Sequence, residues 1–441
     1  MPMTPGPESS KTALADRGER SEAKLPRTDA MTASHAWAFR TTLRRGAFGW
    51  NGTAKAVDRL NAALAEIAAV ARTDSALAGE GAVLLLEKVS PAVSEIDSSS
   101  GALGNATYSL VETLVPIIAA APVAAPLRQK WLDRLFAAYQ EDDPPYIESL
   151  GMHWGSVCAS PTLASRWADD LLPSVRGATA DRRRGVFAFS KATTPCLSAL
   201  FTAGRFDELE QLLALDPKPF WNDQQWKAKV HAARGDVDGA IQVIEAMRGP
   251  YAPDAALSAI AEQVLHEAGR SEEAYARYGI AAHSAHTHIA TYRAIAKRYP
   301  SIDAQRILGD LIASTPGQEG KWFATAKTLK QFDLALALAQ RSAVEPKTLV
   351  RAARDHQKTQ PAFALEVALA ALQWMARGAG YETTSAEVSA ARDYALAAGQ
   401  ALPPGAQQQD AQVLKRIAEC VAGPAPAARW VRQCLGLPLT D

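Results

Sequence analysis

Cysteine is scarce in this sequence and widely spread. The 441 residues contain four cysteines, at Cys158, Cys196, Cys420 and Cys434. No two of them form a Cys-x-x-Cys pair, which is the spacing typical of zinc fingers and redox motifs. The chain is also far from the short, cysteine-dense kind that disulfides hold together. We therefore expect reduced, mostly buried thiols and neither a structural zinc site nor a disulfide framework.

An excess of charge of one sign is also missing. Forty-seven basic and 47 acidic residues cancel, so the formal net charge is zero. A protein drawn non-specifically to nucleic acid or to anionic membranes usually carries net positive charge. The balance disfavours both activities as the main one and leaves room only for a local basic patch.

Long apolar segments are absent too. The most apolar run, 114–127, is interrupted by three prolines and is shorter than the roughly 20 residues that a transmembrane helix needs. Residues 1–33 mix charged and small polar side chains without the apolar core of a signal peptide, and they are predicted to be a disordered leader. We expect a cytoplasmic protein that does not enter a membrane.

Common catalytic motifs are not found. The chain has no Gly-x-Ser-x-Gly elbow, no Gly-x-Gly-x-x-Gly loop after a strand, no His-Glu-x-x-His and no P-loop. Cys158 follows His153 by five residues, too close within one helix to argue for a nucleophile and its base. The sequence therefore predicts a protein that is not an enzyme and holds no cofactor.

What the chain does contain is one short pattern, repeated. A predicted helix ends at a glycine, and a new helix begins within three residues, at 203–209, 234–240 and 268–274. Glycine can adopt the left-handed conformation that stops a helix without a Cβ penalty. The oxygen-bearing side chains expected to cap the next helix are Asp207, Asp236 or Asp238, and Ser271. A weaker copy follows at Lys330, where lysine replaces glycine.

The period of these turns predicts the architecture. The three glycines are 31 and 34 residues apart, which is the period of a two-helix repeat. Before them, apolar residues at helical spacing predict helices over 56–70, 77–96, 103–119, 127–139 and 163–175. We predict an all-α protein whose repeats form an α-solenoid of antiparallel helix pairs. The predicted parts are an N-terminal helical domain at 34–180, the repeat region at 181–400, a linker at 401–411 and a capping helix with tail at 412–441.

The turns resemble the tetratricopeptide-like (TPR-like) class of helical repeats in period and in residue types, although the Trp-x-x-Leu-Gly signature is missing. Much of the chain also resembles an uncharacterised family of bacterial all-helical proteins. The phrases that carry this second resemblance include Ala-Phe-Gly-Trp at 47–50, Glu-Gly-Ala-Val-Leu at 80–84 and Tyr-Ile-Glu-Ser-Leu at 146–150. The resemblance implies a helical fold and no particular activity, cofactor or site residue.

The first functional hypothesis is a scaffold. Stacked helix pairs leave an extended surface that usually serves recognition, so we expect a non-enzymatic protein that binds a protein or peptide partner. The inner helix near residue 226 carries more rings and charges than packing needs. The candidate partner-binding residues are Trp221, Trp226, Lys227, Lys229 and His231. Core packing is the favoured interpretation of any single tryptophan among them.

The second hypothesis is a nucleic-acid accessory factor. Residues 35–50 interleave aromatic and basic side chains, a combination that stacks on bases and binds phosphates. The candidate residues are Arg40, Arg44 and Arg45, together with Arg182, Arg183 and Arg184. The favoured interpretation is structural: an amphipathic N-terminal helix with buried rings and solvated arginines, and an exposed arginine-rich linker.

The third and least favoured hypothesis is a metal-dependent enzyme. His283, His286 and His288 lie within six residues and could converge on Zn, Ni or Cu if they formed a loop. The acidic stretch 141–148 with His153 is a weaker candidate of the same kind. Exposed loop histidines are favoured for the first cluster. For the second, the favoured interpretation is an N-cap at Asp143 with Pro144 in the first helical turn.

Overall fold

The structure, a computed structural model, describes residues 35–216, 220–250, 252–380 and 382–438. Within these ranges every regular element is a helix and no strand occurs, so the prediction of an all-α protein is confirmed for the described chain. The predicted leader at 1–33 and the last three residues of the predicted tail lie outside the described residues.

The described chain divides into two compact units. The first comprises the residues up to Leu171 together with Thr194–Ala203, and the second comprises Leu172–Thr193 and the residues from Gly204 onward. The boundary predicted between residues 180 and 181 lies inside one continuous helix, Pro161–Arg183.

The first unit is built from long helices that bury one face each. Its helices are α1 Phe39–Thr42, α2 Thr53–Ala71, α3 Ser75–Val93, α4 Ala102–Ala120, α5 Ala125–Gln140, α6 Trp154–Cys158, the first part of α7 Pro161–Arg183, and nearly all of α8 Thr193–Thr202. A 3₁₀ helix, Glu148–His153, precedes α6. Helix α3 starts where the side chain of Asp74 accepts a hydrogen bond from the Leu77 amide, 2.9 Å away, which satisfies one unpaired donor of the first turn.

Helix α4 is the one described helix long and apolar enough to cross a membrane, judged by length and composition alone. It packs against α2 and α3. Its residues Leu103, Leu110 and Leu114 are fully buried in the first unit. The buried residues lie on one face of the helix, and the described chain holds no clear membrane-spanning helix.

The second unit contains the rest of α7 and a series of shorter helices. They are α9 Phe206–Ala214, α10 Trp221–Ala233, α11 Val237–Ala246, α12 Asp254–Glu267, α13 Ser271–Ala274, α14 Ile280–Ala282, α15 His288–Arg298, α16 Ala304–Ala313, α17 Phe323–Thr328, α18 Phe332–Arg341, α19 Pro346–His356, α20 Pro361–Ala376, α21 Ser385–Gln400, α22 Asp410–Cys420 and α23 Pro426–Cys434. A π-helical segment, Tyr275–Gly279, joins α13 to α14, and a 3₁₀ turn, Glu319–Trp322, precedes α17.

Consecutive helices of this unit pack in pairs. Helix α10 contacts α11, α15 contacts α16, α17 contacts α18 and α19 contacts α20. Each pair adds its buried residues to one apolar core that runs from Ala228 to Val431. These contacts are consistent with a helical repeat.

The turns between paired helices have the backbone that the sequence predicts. Gly204, Gly235 and Gly269 have φ of +71°, +82° and +75°, and Lys330 has φ of +60°. Lysine therefore occupies the position that glycine fills in the other three turns, at the steric cost that a Cβ atom brings in the left-handed region.

Two of the predicted helix caps are wrong. Asp236 does cap α11, because its Oδ1 accepts a hydrogen bond from the Gly239 amide at 3.0 Å. Asp207 and Ser271 instead lie inside the first turns of α9 and α13, whose N-cap positions are arginines without a side-chain cap. Asp207 and Glu272, each three residues after a turn glycine, therefore do not cap their helices, and their carboxylates can bind other residues.

The left-handed lysine predicts a simple stabilising substitution. Lys330→Gly should raise the free energy of unfolding by about 0.5 to 1 kcal/mol, because relief of the Cβ strain exceeds the extra entropy of glycine in the unfolded chain. The matched control is Lys415→Gly at an exposed position within α22, which should lower stability by roughly 1 kcal/mol. Urea unfolding of both variants measures the difference. Destabilisation by Lys330→Gly would contradict the proposed strain.

Candidate partner-binding face

The five residues predicted to bind a partner all lie on α10 but differ in exposure. Trp226 is only 3% exposed and belongs to the core, so its ring is not a surface contact. Lys229 places its Nζ 4.2 Å from the Trp226 ring centroid in a cation–π contact. His231 Nδ1 lies 2.7 Å from Asp236 Oδ2, and Trp221 is half-buried. Of the five, only Lys227 is exposed.

A more extensive set of exposed cations lies on the first helices of the later pairs. Helix α15 buries Thr291, Tyr292 and Ile295, which leaves Arg293 and Lys297, four residues apart, on its exposed side. Lys321 before α17 and Arg351 on α19 are exposed as well. We call the four residues Arg293, Lys297, Lys321 and Arg351 the basic face. None of the four forms an ion pair with a described residue.

Contacts between successive elements connect the segments that carry the basic face. Helix α15 packs against α17, and the His288 ring meets Trp322 edge-on, with centroids 4.7 Å apart. Burial first, and the charge of Lys321 second, lower the pKa of His288, so Lys321 lies beside the start of α15. The Gly320 amide donates to Ser342 Oγ at 2.6 Å, which fixes the segment leading into α19.

Acids in the first turns of three second helices, α9, α11 and α13, form ion pairs instead. The acid three residues after each turn glycine pairs with an arginine of the following helix pair. The bonds join Asp207 to Arg234 at 2.6 Å, Asp238 to Arg270 at 2.6 Å and Glu272 to Arg306 at 2.5 Å. Sequence reasoning missed this ladder, although the shared position of the three acids was a readable signal. Being largely exposed, each pair adds little stability, but each neutralises the acid that it contains.

A buried carboxylate marks the centre of α12. Glu262 is 4% exposed, and its Oε1 accepts a hydrogen bond from the Tyr299 hydroxyl at 2.5 Å and lies 2.8 Å from His283 Nε2. Burial would raise the pKa of Glu262, but these two hydrogen bonds outweigh it and hold the pKa below its ordinary value. The carboxylate ties α12 to the end of α15 and is already occupied as an acceptor, which suits a structural clamp.

The three clustered histidines do not converge. His283 is engaged by Glu262, His288 by Trp322, and His286 is exposed in the intervening loop. Among the residues that the structure describes, no group of three or more His, Cys, Asp or Glu side chains is placed to hold a metal ion.

The acidic stretch before the 3₁₀ helix serves the backbone. Asp142 is 2% exposed, and its carboxylate accepts the amides of Tyr146 at 2.9 Å and Ile147 at 2.8 Å. It also accepts a hydrogen bond from Ser90 Oγ. The predicted N-cap at Asp143 is wrong, because no helix begins at Pro144.

The predicted basic N-terminal helix is also wrong. Only the four residues of α1 are helical in this segment, and 43–52 form turns. The rings of Trp37, Phe39 and Phe48 are buried as expected, whereas Trp50 is 67% exposed. The exposed candidates for the nucleic-acid hypothesis are therefore carried by a short helix and a turn, at Arg40, Arg44 and Arg45.

The three arginines at 182–184 have different environments. Arg182 is a half-buried bridge: its Nη2 lies 2.5 Å from Asp216 Oδ2, and its Nη1 donates to the Ala188 carbonyl at 2.9 Å. Arg184 pairs with Asp181, and Arg183 is exposed. The three arginines therefore do not form the predicted exposed run.

A second aspartate shares the surroundings of Arg182. Asp223 is 7% exposed. Burial, and then repulsion by Asp216, raise its pKa to about 6, against the attraction of Arg182. One guanidinium thus interacts with two carboxylates, and burial together with the neighbouring Asp216 raises the pKa of Asp223.

Comparison of the chain with protein families, with curated proteins and with solved structures finds no match.

Replacing two neighbouring arginines one at a time should distinguish the structural role of Arg182 from the exposed position of Arg183. Arg182→Ala removes an ion pair and a hydrogen bond to the backbone, and it should lower the free energy of unfolding by roughly 2 to 4 kcal/mol. Arg183→Ala changes an exposed side chain and should have an effect within about 0.5 kcal/mol. Urea unfolding at neutral pH distinguishes the two. Equal effects of the two substitutions would show that Arg182 is no bridge.

The raised pKa of Asp223 predicts that removing the charge of this side chain stabilises the protein by an amount that depends on pH. Because the folded protein holds this proton more tightly than the unfolded chain, the contribution of Asp223 to stability falls as the pH rises from about 4 through 6. Asp223→Asn should therefore stabilise the protein at pH 8 by roughly 2 to 3 kcal/mol and hardly at pH 4. Urea unfolding at both values measures this. The exposed control Asp207→Asn should show no gain of this size, and a gain for Asp223→Asn independent of pH would refute the assignment.

Proposed function

We propose that the protein is a non-enzymatic scaffold whose helix pairs stack as a TPR-like α-solenoid and that it binds an acidic segment of a protein partner, in the cytoplasm. The observation that carries the proposal is the basic face. Arg293, Lys297 and Lys321 are exposed without an ionic partner in the described chain, while Asp207, Asp238 and Glu272 are held in the ladder. A carboxylate-rich segment would supply the missing counter-charges.

The composition of the face favours a peptide over nucleic acid. Single-stranded nucleic acid is usually held by exposed aromatic rings that stack on bases. The rings next to the basic face, Tyr292 and Trp322, are 7% and 3% exposed and cannot stack on a ligand. Duplex binding relies on phosphate contacts and a strongly basic surface, whereas the net charge of this chain is zero.

The binding test uses fluorescence anisotropy with a labelled oligoglutamate peptide as the probe. The double variant Arg293→Glu, Lys297→Glu should weaken binding about tenfold or more, since each reversed charge turns attraction into repulsion. The matched control, Arg44→Glu with Arg45→Glu, changes the net charge equally at an exposed site of the first unit and should leave binding intact. Added salt should weaken binding of the native protein.

Two outcomes would contradict the proposal. Equal loss in both double variants would mean that the peptide senses only net charge. The native protein could instead bind a labelled single-stranded RNA more tightly than the peptide. If the double variant Arg44→Glu, Arg45→Glu abolished that RNA binding, the nucleic-acid function would be favoured. Affinity purification from the native host with and without nuclease would then identify the physiological partner of whichever class survives.

A further inference from the structure

Large apolar side chains are concentrated in one exposed loop of the second unit. The loop after α7 presents Val186 at 55% exposure, Phe187 at 87% and Phe189 at 63%. These are three of the ten large hydrophobic residues that are exposed in the described chain. Such clustering costs solvation free energy and usually marks an interaction site. We call Val186, Phe187 and Phe189 the apolar loop.

The apolar loop is held in a fixed conformation by polar contacts beneath it. The Val186 amide donates to the Asp181 carbonyl at 3.0 Å. Arg182 Nη1 donates to the Ala188 carbonyl at 2.9 Å. At the far end, the hydroxyls of Ser174 and Ser190 lie 3.0 Å apart. A loop so fixed loses little conformational entropy on binding, which favours its use as a contact.

The Arg182 ion pair links the end of α7 to a second segment that carries exposed apolar residues. Arg182 also binds Asp216, whose neighbour Leu215 is 42% exposed, and Phe220 is 53% exposed. A fully buried aromatic side chain covers about 150 to 250 Å². Scaled by their exposures, the five apolar side chains offer roughly 500 Å² per molecule. Two such patches approach the roughly 1,000 Å² that a specific interface requires.

The charges around the loop suit a second copy of the same chain. Arg183 is exposed, and the pair formed by Arg184 and Asp181 is also largely exposed, so the rim carries both signs. A rim of one sign would repel its own copy, whereas a mixed rim can exchange its ion pairs across a two-fold axis. The zero net charge of the chain adds no long-range repulsion between copies.

We propose that the apolar loop, with Leu215 and Phe220, is the centre of a two-fold symmetric interface between two copies of this protein. In such an interface the same patch from each molecule covers the other, and Phe187 is the principal anchor because aromatic side chains dominate binding energy. This assembly is independent of the partner-binding function, since it uses none of the residues of the basic face.

Sedimentation equilibrium of the full chain over a range of concentrations tests the interface. The native protein should be a dimer, and Phe187→Asp should raise the dimer dissociation constant at least 100-fold. Trp50→Asp, which places the same charge at another exposed aromatic position, should leave it unchanged. Circular dichroism and thermal unfolding check that Phe187→Asp still folds, and Phe187→Leu should retain the dimer.

Two results would overturn the interface. One is a native protein that stays monomeric at the highest concentration reached. The other is a dimer that Phe187→Asp leaves intact. The double variant Arg293→Glu, Lys297→Glu should still dimerise, so a failed peptide-binding experiment and a failed dimerisation experiment remain distinguishable.

Discussion

Burial of the apolar stripe on each short helix is the constraint on which the second unit depends. Helices of about ten residues are marginal alone, so each one here must cover its stripe with the next helix along the chain. A turn residue in the left-handed conformation reverses the chain within a few residues, so that consecutive helices can pack against each other. Where glycine is available the backbone reversal is free of strain, and at Lys330 the packing that follows must offset a Cβ penalty.

The pairing of helices also determines where charge is left over. Acids in the first turn of a second helix complement the helix dipole and lie beside the next pair, so an arginine there can bind them. Asp207, Asp238 and Glu272 are neutralised in this way, whereas Arg293, Lys297, Lys321 and Arg351 form no ion pair with a described residue. A protein of zero net charge thereby acquires a basic surface through the arrangement of its pairs, without any excess of basic residues.

The sequence predicted the helices and turns better than it predicted the candidate sites, and the reasons are physical. Glycine turns and apolar spacing are local properties, so the helices of the first unit and the turns at Gly204 and Gly235 could be predicted from a few neighbouring residues. Side-chain partners are not local. Arg182, Arg183 and Arg184 are indistinguishable as letters, yet Arg182 alone meets Asp216, thirty-four residues away. Asp207 likewise could cap its own helix or bind Arg234, and only tertiary packing decides between them.

The basic face and the apolar loop differ in the kind of association that each can support. An exposed charged face accelerates encounter and selects partners by sign, but solvent and salt limit the affinity that it adds. Fixed aromatic side chains act in the opposite way, because the area that they bury slows dissociation and depends little on ionic strength. A lasting contact between copies is therefore expected at Phe187 and Phe189, and a reversible, salt-sensitive contact with a partner at Arg293 and Lys297.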